Sequence, residues 1–303
     1  MAFIPGTAAA DTLVGTDGSD LILGHGGADF LVGRPGNDVI FGGPQNDTIA
    51  GDNIPLPGGP LGQDVFGPYP AQFGGTPGNN LIIAGAGDDS VHAGFGADTV
   101  LGGPGNDTLI GYGAAGVSPS GNAGIIRADG PDLLDGGPGD DLLRGGGGAD
   151  TLLGGAGDDT LIGGTGVDVL AGGPGHDVFL FGRQLEPFAS DPITPDTGVG
   201  PGNRDVILDF QDRQDVIDLT HYLNFFPPPE GQPPAVFLGT DPFTATGALQ
   251  VRYEIEDGNT IVQIVAPFGS PPPGTPPSVP EGPTQEIELV GVHHLQACDV
   301  ILA

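Results

Sequence analysis

A large apolar residue returns every ninth position through most of the first 180 residues, in three blocks: Leu13, Ile22, Leu31, Ile40 and Ile49; Ile82, Val91, Val100 and Leu109; then Leu134, Leu143, Leu152, Leu161, Leu170 and Phe179. Nine matches neither the 3.6-residue period of a helix nor the long two-residue alternation of an ordinary strand. It fits a short strand, whose middle residue points inward, followed by a turn. In Thr160-Leu161-Ile162, for example, Leu161 points one way and its neighbours the other. Units this short cannot bury an apolar face alone, so a fixed short period predicts a stacked solenoid. Two rows make one coil: loop, strand, loop, strand.

The rest of the row is as regular. Written from Gly154, one row reads GGAGDDTLI, with glycine mostly at positions 1, 2 and 4, a carboxylate at 6 and the apolar residue at 8. Glycine at these positions lets the backbone turn through positive φ and leaves carbonyl oxygens uncovered. The position-6 residues are Asp11, Asp20, Asp29, Asp38, Asp47, Asn80, Asp89, Asp98, Asp107, Asp132, Asp141, Asp150, Asp159, Asp168 and Asp177. Stacked one strand spacing apart, these carboxylates repel one another unless something positive lies between them. Carbonyl and carboxylate oxygens together suit a hard divalent cation, and calcium takes roughly six to eight oxygens at about 2.3–2.6 Å. Asn80 keeps an oxygen without a charge and predicts a weaker site. The paired aspartates Asp88–Asp89, Asp140–Asp141 and Asp158–Asp159 recur at positions 5 and 6, which marks them as ligand or loop rather than as an acid–base pair.

Composition sharpens this picture. Glycine and proline, 59 and 32 residues, would suggest disorder without a period. The net charge is −32, with seven arginines and no lysine, which argues against nucleic acid and anionic membranes as partners. All seven glutamates lie after residue 180, so the repeats use aspartate alone. A merely solvated face would mix the two, whereas a ligand position of fixed reach would not. The single cysteine, Cys298, excludes an internal disulfide and a thiolate zinc site. No apolar stretch approaches membrane-spanning length, and Met1–Gly15 shows neither the basic region nor the long apolar region of a signal peptide.

The repeats resemble the RTX, or hemolysin-type, calcium-binding nonapeptide G-G-x-G-x-D-x-U-x. That resemblance implies an all-β fold, a calcium-bound parallel β-roll, on a protein exported by type I secretion and kept outside the cell without an N-terminal signal peptide. The calcium ligands it implies are the position-6 residues given above. Rows are expected to start at Gly6, Gly15, Gly24, Gly33 and Gly42; at Gly75, Ala84, Ala93 and Gly102; and at six ninefold steps from Arg127. The first row, GTAAADTLV, has lost two glycines and reads as a capping row, and His25 as a tolerated loop residue. Insertions are expected over about 51–74 and 111–126, on one edge of the roll and roughly 10 Å apart. Their aromatic residues Phe66, Tyr69, Phe73 and Tyr112 would form one lateral patch, the alternative being two independent surface loops.

The period stops after Phe181, which divides the chain into a roll over 1–182 and a C-terminal β cap with the secretion region over 183–303. The segment 203–220 resembles the module that follows the repeats in serralysin-type secreted metalloproteases. There Asp205, Asp209, Asp212 and Asp215 would either cap the roll or complete a last site. Alternating segments AVFL, ALQVRYEI, NTIVQIV and QEIELV would close the open end of the roll. The final DVILA is similar to the acidic-then-aliphatic ends of type I export signals.

Catalytic signatures are missing. The sequence has no H-E-x-x-H and no G-x-S-x-G, and its six histidines lack helical metal spacing. The expectation is a non-enzymatic, secreted calcium-binding protein with a structural or interaction role. The alternatives are a surface- or glycan-binding module built on the insertions, and the non-catalytic part of a secreted enzyme. If cations bridge rows n and n+2, the uninterrupted blocks predict nine calcium ions, and a roll continuous past both insertions predicts thirteen.

Overall fold

A computed structural model of the chain describes residues 1–52, 78–111, 130–182, 197–220, 235–244, 248–265 and 283–302. Alternate rows send their short strands into two different sheets, as a two-row coil requires. One sheet runs from Phe3–Pro5 through Leu21–Leu23 and Val39–Pro44, the other from Thr12–Val14 through Phe30–Val32 and Thr48–Ala50. Pairing is parallel with an 18-residue register: Ile22 lies beside Ile40, Leu13 beside Leu31, Leu152 beside Leu170. The chain is an all-β parallel roll.

Position 8 makes the core. From Ile22 to Phe179 every residue of the series is essentially inaccessible to solvent, and Leu13 in the first row is partly buried against them. One inward side chain per three-residue strand yields a core two side chains thick. Burying each of these aliphatic groups contributes about 1.5–3 kcal/mol, and each must offset the ordering of a nine-residue row that costs at least as much.

The register also shows where the insertions enter. Across the first one Ile40 pairs with Ile82, and across the second Leu109 pairs with Leu143, so the 18-residue step becomes 42 and 34. The rows on either side stay in phase: Gly51 occupies position 1 below Gly33, and Gly111 occupies position 1 in the same column. The expected boundaries are therefore corrected. Row six is Gly51, Asp52 and then Gly78 onward, and row ten begins at Gly111 and resumes at Gly130. The first insertion replaces position 3 of row six, and the second lies between positions 1 and 4 of row ten, so neither separates two rows. Both necks lie on one edge. The aromatic residues of the expected patch fall outside the described residues.

Beyond the repeats both sheets continue. Asp205–Ile207 adds to one sheet beside Val169–Ala171, and Val216–Asp218 adds to the other beside Val178–Leu180. Their inward residues Ile207 and Ile217 extend the core without a break. Gln285–Leu289 then pairs with Asp205–Ile207, and Val300–Ile301 with Val216–Asp218. The first sheet continues through an antiparallel pair, Leu249–Glu256 with Asn259–Val265, and ends on Ala235–Phe237, parallel to Leu249–Glu256. Asp257 and Gly258, both at positive φ (51° and 89°), form the two-residue loop that such a pair favours. Arg204 is 2% exposed there and is surrounded by Glu256, Glu286 and Glu288, with its Nη2 2.9 Å from Glu256 Oε2.

Leu152→Ala should lower unfolding free energy by about 2–5 kcal/mol, measured by denaturant titration in saturating calcium. Thr151→Ala, whose side chain leaves the opposite face of the same strand, should stay within about 0.5 kcal/mol.

Candidate metal centre

Each position-6 side chain joins two coils. The backbone N–H of the aspartate in row n donates to Oδ1 of the aspartate in row n+2, as in Asp20 to Asp38, Asp29 to Asp47, Asp132 to Asp150 and Asp141 to Asp159, all at 2.8 Å. The ladder crosses both insertions: Asp47 donates to Asp89 Oδ1 at 2.6 Å and Asp98 to Asp132 Oδ1 at 2.8 Å. It therefore runs unbroken along both edges.

The second carboxylate oxygen is the informative one. Oδ2 of Asp29, Asp38, Asp47, Asp89, Asp98, Asp107, Asp141, Asp159, Asp168 and Asp177 is buried and accepts no hydrogen bond. A buried carboxylate oxygen without a partner costs several kcal/mol, and the structure repeats that cost along the whole roll. Around Oδ2 lies a small cradle. A Cβ placed on the position-1 glycine of the same row would overlap both this oxygen and the position-1 carbonyl two rows on. At Gly24 the obstacles are Asp29 Oδ2 and the Gly42 carbonyl, and at Gly154 they are Asp159 Oδ2 and the Gly172 carbonyl. In most rows position 1 is glycine, with oxygens converging where its side chain would stand, although two rows carry Ala84 and Ala93 there; position 2 is at positive φ where it is Gly43 (122°) or Gly155 (117°). His25 and Arg34 also sit at position 2 and adopt φ of 74°, a conformation that non-glycine residues enter at a cost. For His25 this is a loop position.

Among the described residues no group of three or more His, Cys, Asp and Glu side chains is placed to hold a metal. A cation in these cradles would be held by carboxylates of successive coils together with main-chain carbonyls. An oxygen-only set of this kind fits calcium, not zinc or copper.

Electrostatics agrees with the geometry. Burial pushes the carboxyls of Asp38, Asp47, Asp98, Asp107, Asp141, Asp159, Asp168 and Asp177 up to about 6, and Asp89 to about 7, against the backbone N–H that each accepts. Like charges on adjacent coils or in the same row push several further, Asp47 and Asp107 on Asp89 among them. Asp20 differs. Burial raises it, but the Thr16 and Ala2 N–H groups and the Thr16 hydroxyl outweigh burial and hold it below the usual carboxylate range. Thr16 donates its N–H (2.6 Å) and its hydroxyl (2.8 Å) to Asp20 Oδ2, and Thr7 does the same for Asp11 (2.6 and 2.9 Å). The first two rows thus close their cradles with threonine.

Position 5 behaves differently from position 6. Asp140, Asp158 and Asn106 are solvent-facing, and their Oδ1 atoms accept N–H groups from the row two further on, such as Asp158 to Asp140 at 2.9 Å. The adjacent aspartates of a row therefore form one outer ladder and one inner ladder, and neither is an acid–base pair.

Two carboxylates join the inner ladder that the ninefold pattern does not contain. Asp205 Oδ1 accepts from Asp168 N–H at 2.8 Å, and Asp215 Oδ1 from Asp177 N–H at 3.1 Å. Their signal was the half-motif D-V-I, present at 205–207 and 215–217 without the glycines. Asp209 instead accepts the Gly172 and Gly173 N–H groups (3.0 and 2.8 Å), and Asp212 pairs with His293 at 2.6 Å. One carboxylate was missed inside the roll. Asp52, at position 2 of row six, is 2% exposed, and burial together with the charges of Asp98 and Asp38 pushes it up to about 8, against hydrogen bonds from Gly78 and Asn80. Asn80 does not present an oxygen to its cradle. Its Oδ1 takes the Asp38 N–H (2.9 Å), and its Nδ2 turns inward, 3.3 Å from the Ala93 carbonyl.

Comparison with known proteins places the repeats. The RTX calcium-binding nonapeptide repeat (four copies) matches residues 5–40, 26–53, 74–109, 128–161 and 153–184. No curated protein matches the chain. Similar solved structures include the AlgE6R3 subunit of the Azotobacter vinelandii mannuronan C5-epimerase, 30% identical over 59% of this chain and 82% of that one, with a TM-score of 0.35. The AlgE6R2 subunit of that epimerase is 25% identical over 58% and 88%, with a TM-score of 0.28. The extracellular lipase LipA from Serratia marcescens is 20% identical over 97% of this chain and 40% of its own length, with a TM-score of 0.33. The repeated glycine–aspartate rows, stacked as a parallel roll with oxygen-lined cradles, are RTX calcium-binding nonapeptide repeats, and the repeat region of this chain belongs to that family.

Proposed function

We propose that this chain is a secreted calcium-responsive structural or interaction protein whose roll folds as it binds calcium. The observation that carries the reading is the set of buried Oδ2 atoms without a hydrogen bond in ten of the cradles, from Asp29 to Asp177, along both edges. In this reading the position-6 aspartates hold the ions, residues 1–182 form the roll, and residues 183–303 cap it and carry the export region. Folding and binding are then one event. At low calcium the self-repulsion of a chain of net charge −32 opposes compaction. At extracellular calcium the ions neutralise the ladder, so the protein crosses a secretion channel unfolded and becomes a rod outside. Type I machinery as the exporter and an extracellular surface or glycan as the partner belong to this proposal. So does a non-catalytic role, which the absence of a recognisable catalytic motif supports.

Starting from chelator-treated protein, a calcium titration followed by far-UV circular dichroism should show a cooperative gain of β signal with about nine to thirteen ions bound. An unchanged β signal in chelator would overturn the reading. Asp159→Asn should remove one bound ion. Asp158→Asn, at the exposed position 5, should leave the count unchanged, with ions counted by native mass spectrometry.

The raised carboxyls give a pH dependence with a defined sign. In chelator a folded roll holds more protons than the unfolded chain. The stability this contributes is fully present below the ordinary carboxylate value of 3.8 and is lost as pH rises through about 6. Chelated protein should therefore show more β signal at pH 4 than at pH 8. With calcium the trend reverses, because protons compete for the same oxygens. The half-saturating calcium concentration should rise on going from pH 8 to pH 5, by roughly tenfold for each site per unit below its carboxyl value.

A further inference from the structure

Row six breaks the repeat in two places at once. It is the one row whose position 6 is not aspartate, being Asn80, and the one row with an acidic residue at position 2, Asp52. The two are 28 residues apart in sequence because the first insertion lies between them, yet they belong to the same turn. Asn80 cannot serve its cradle as the aspartates do. The Asp38 N–H needs an acceptor, and Asn80 Oδ1 supplies it at 2.9 Å. That fixes the amide orientation and points the nitrogen inward, to about the place where other rows have Oδ2. A Cβ on Gly51 would lie 2.7 Å from Asn80 Nδ2. An amide nitrogen carries no lone pair for a cation.

Asp52 enters the same turn from the other side. It is 2% exposed, and its N–H donates to the Ala93 carbonyl at 3.1 Å. Its carboxylate leans on the next coil, where a Cβ on Gly94 would meet Asp52 Oδ2 at 2.9 Å. Both oxygens share a single backbone donor, Gly78 N–H, at 3.3 Å each, and the Asn80 side-chain amide also donates to the carboxylate. That is weak satisfaction for a buried carboxylate with about four acceptor positions. On the next coil Asp98 faces row six: its Oδ1 accepts the Asn80 N–H at 2.7 Å, and its Oδ2 is buried without a hydrogen-bond partner. No salt bridge places an Arg or His beside Asp52 among the described residues.

We propose that Asp52 is a metal ligand that moves the missing charge of Asn80 from position 6 to position 2, so that row six holds a divalent cation between its coil and that of Asp98. The ladder of sites then continues through the neck of the first insertion, and the ion ties residue 52 to residue 78 across that neck. This rests on the calcium-binding reading above.

The test counts calcium ions bound per full-length chain, by native mass spectrometry and by elemental analysis after dialysis, for the wild type, Asp52→Asn, Asn80→Asp and the exchanged pair Asp52→Asn with Asn80→Asp. The expected result is one ion fewer for Asp52→Asn and the wild-type count restored in the exchanged pair, where the charge returns to its usual position. Should Asp52→Asn not fold alone, restoration in the exchanged pair supports the proposal by itself. An unchanged count in Asp52→Asn, together with one extra ion in Asn80→Asp, would overturn it and make row six an ion-free joint closed by the Asn80 amide. Failure of the exchanged pair to recover the ion would also overturn it. A wild-type chain that binds no calcium would instead sink the calcium reading itself.

Discussion

The structure depends on how one buried carboxylate divides its two oxygens. Oδ1 is committed to the backbone of the coil before it, and this hydrogen bond sets the spacing and phase of the stack. Oδ2 is left inside the turn with nothing from the protein to satisfy it. The first bond sets the register of the roll, and the second oxygen is a cost to the fold. A core of one aliphatic side chain per row is thin against ten such penalties. In the function proposed above, the calcium that these repeats bind offsets them.

Much of this was legible in the residues. The period of nine, the inward position 8 and the aspartate at position 6 determine strand, core and ladder, because each is a local choice repeated until it can mean only one thing. What escaped was non-local or incomplete. The boundaries of rows six and ten were hidden because Gly75-Thr76-Pro77-Gly78 imitates a row start, while counting nine from Gly42 and from Gly102 arrives at Gly51 and Gly111. Asp205 and Asp215 were legible as residues that cap the roll or complete a last site, but they carry the strand half of the motif without its glycines, and their place in the ladder needed the hydrogen bonds. Asp52 acquires meaning only once the row boundary is moved and Asn80 becomes its neighbour. The distinct reason for glycine at position 1, oxygens converging on an absent Cβ, needed coordinates.

The ends show how a periodic structure stops. At the N-terminal end Thr7 and Thr16 each give a hydroxyl and an N–H to the position-6 carboxylate, closing the first cradles from within the protein. At the C-terminal end the ladder passes to Asp205 and Asp215, and Asp209 then caps the loop at Gly172 and Gly173. Between these ends each coil interacts with its two neighbours, so stability accumulates along one axis.

The entry of both insertions between positions 1 and 4 of a row has a consequence for how such a rod can diversify. The residues on either side of each neck keep their places in the stack, so the interrupting segment is closed before it begins. Lengthening a loop whose ends are already held costs little, about 0.6 kcal/mol for each doubling. Sequence, length and shape in those segments are thereby decoupled from the phase of the rod. The turn between positions 1 and 4 along one edge becomes a series of equivalent sockets spaced by about one strand separation per coil, into which new surface can be fitted without altering the register of what carries it.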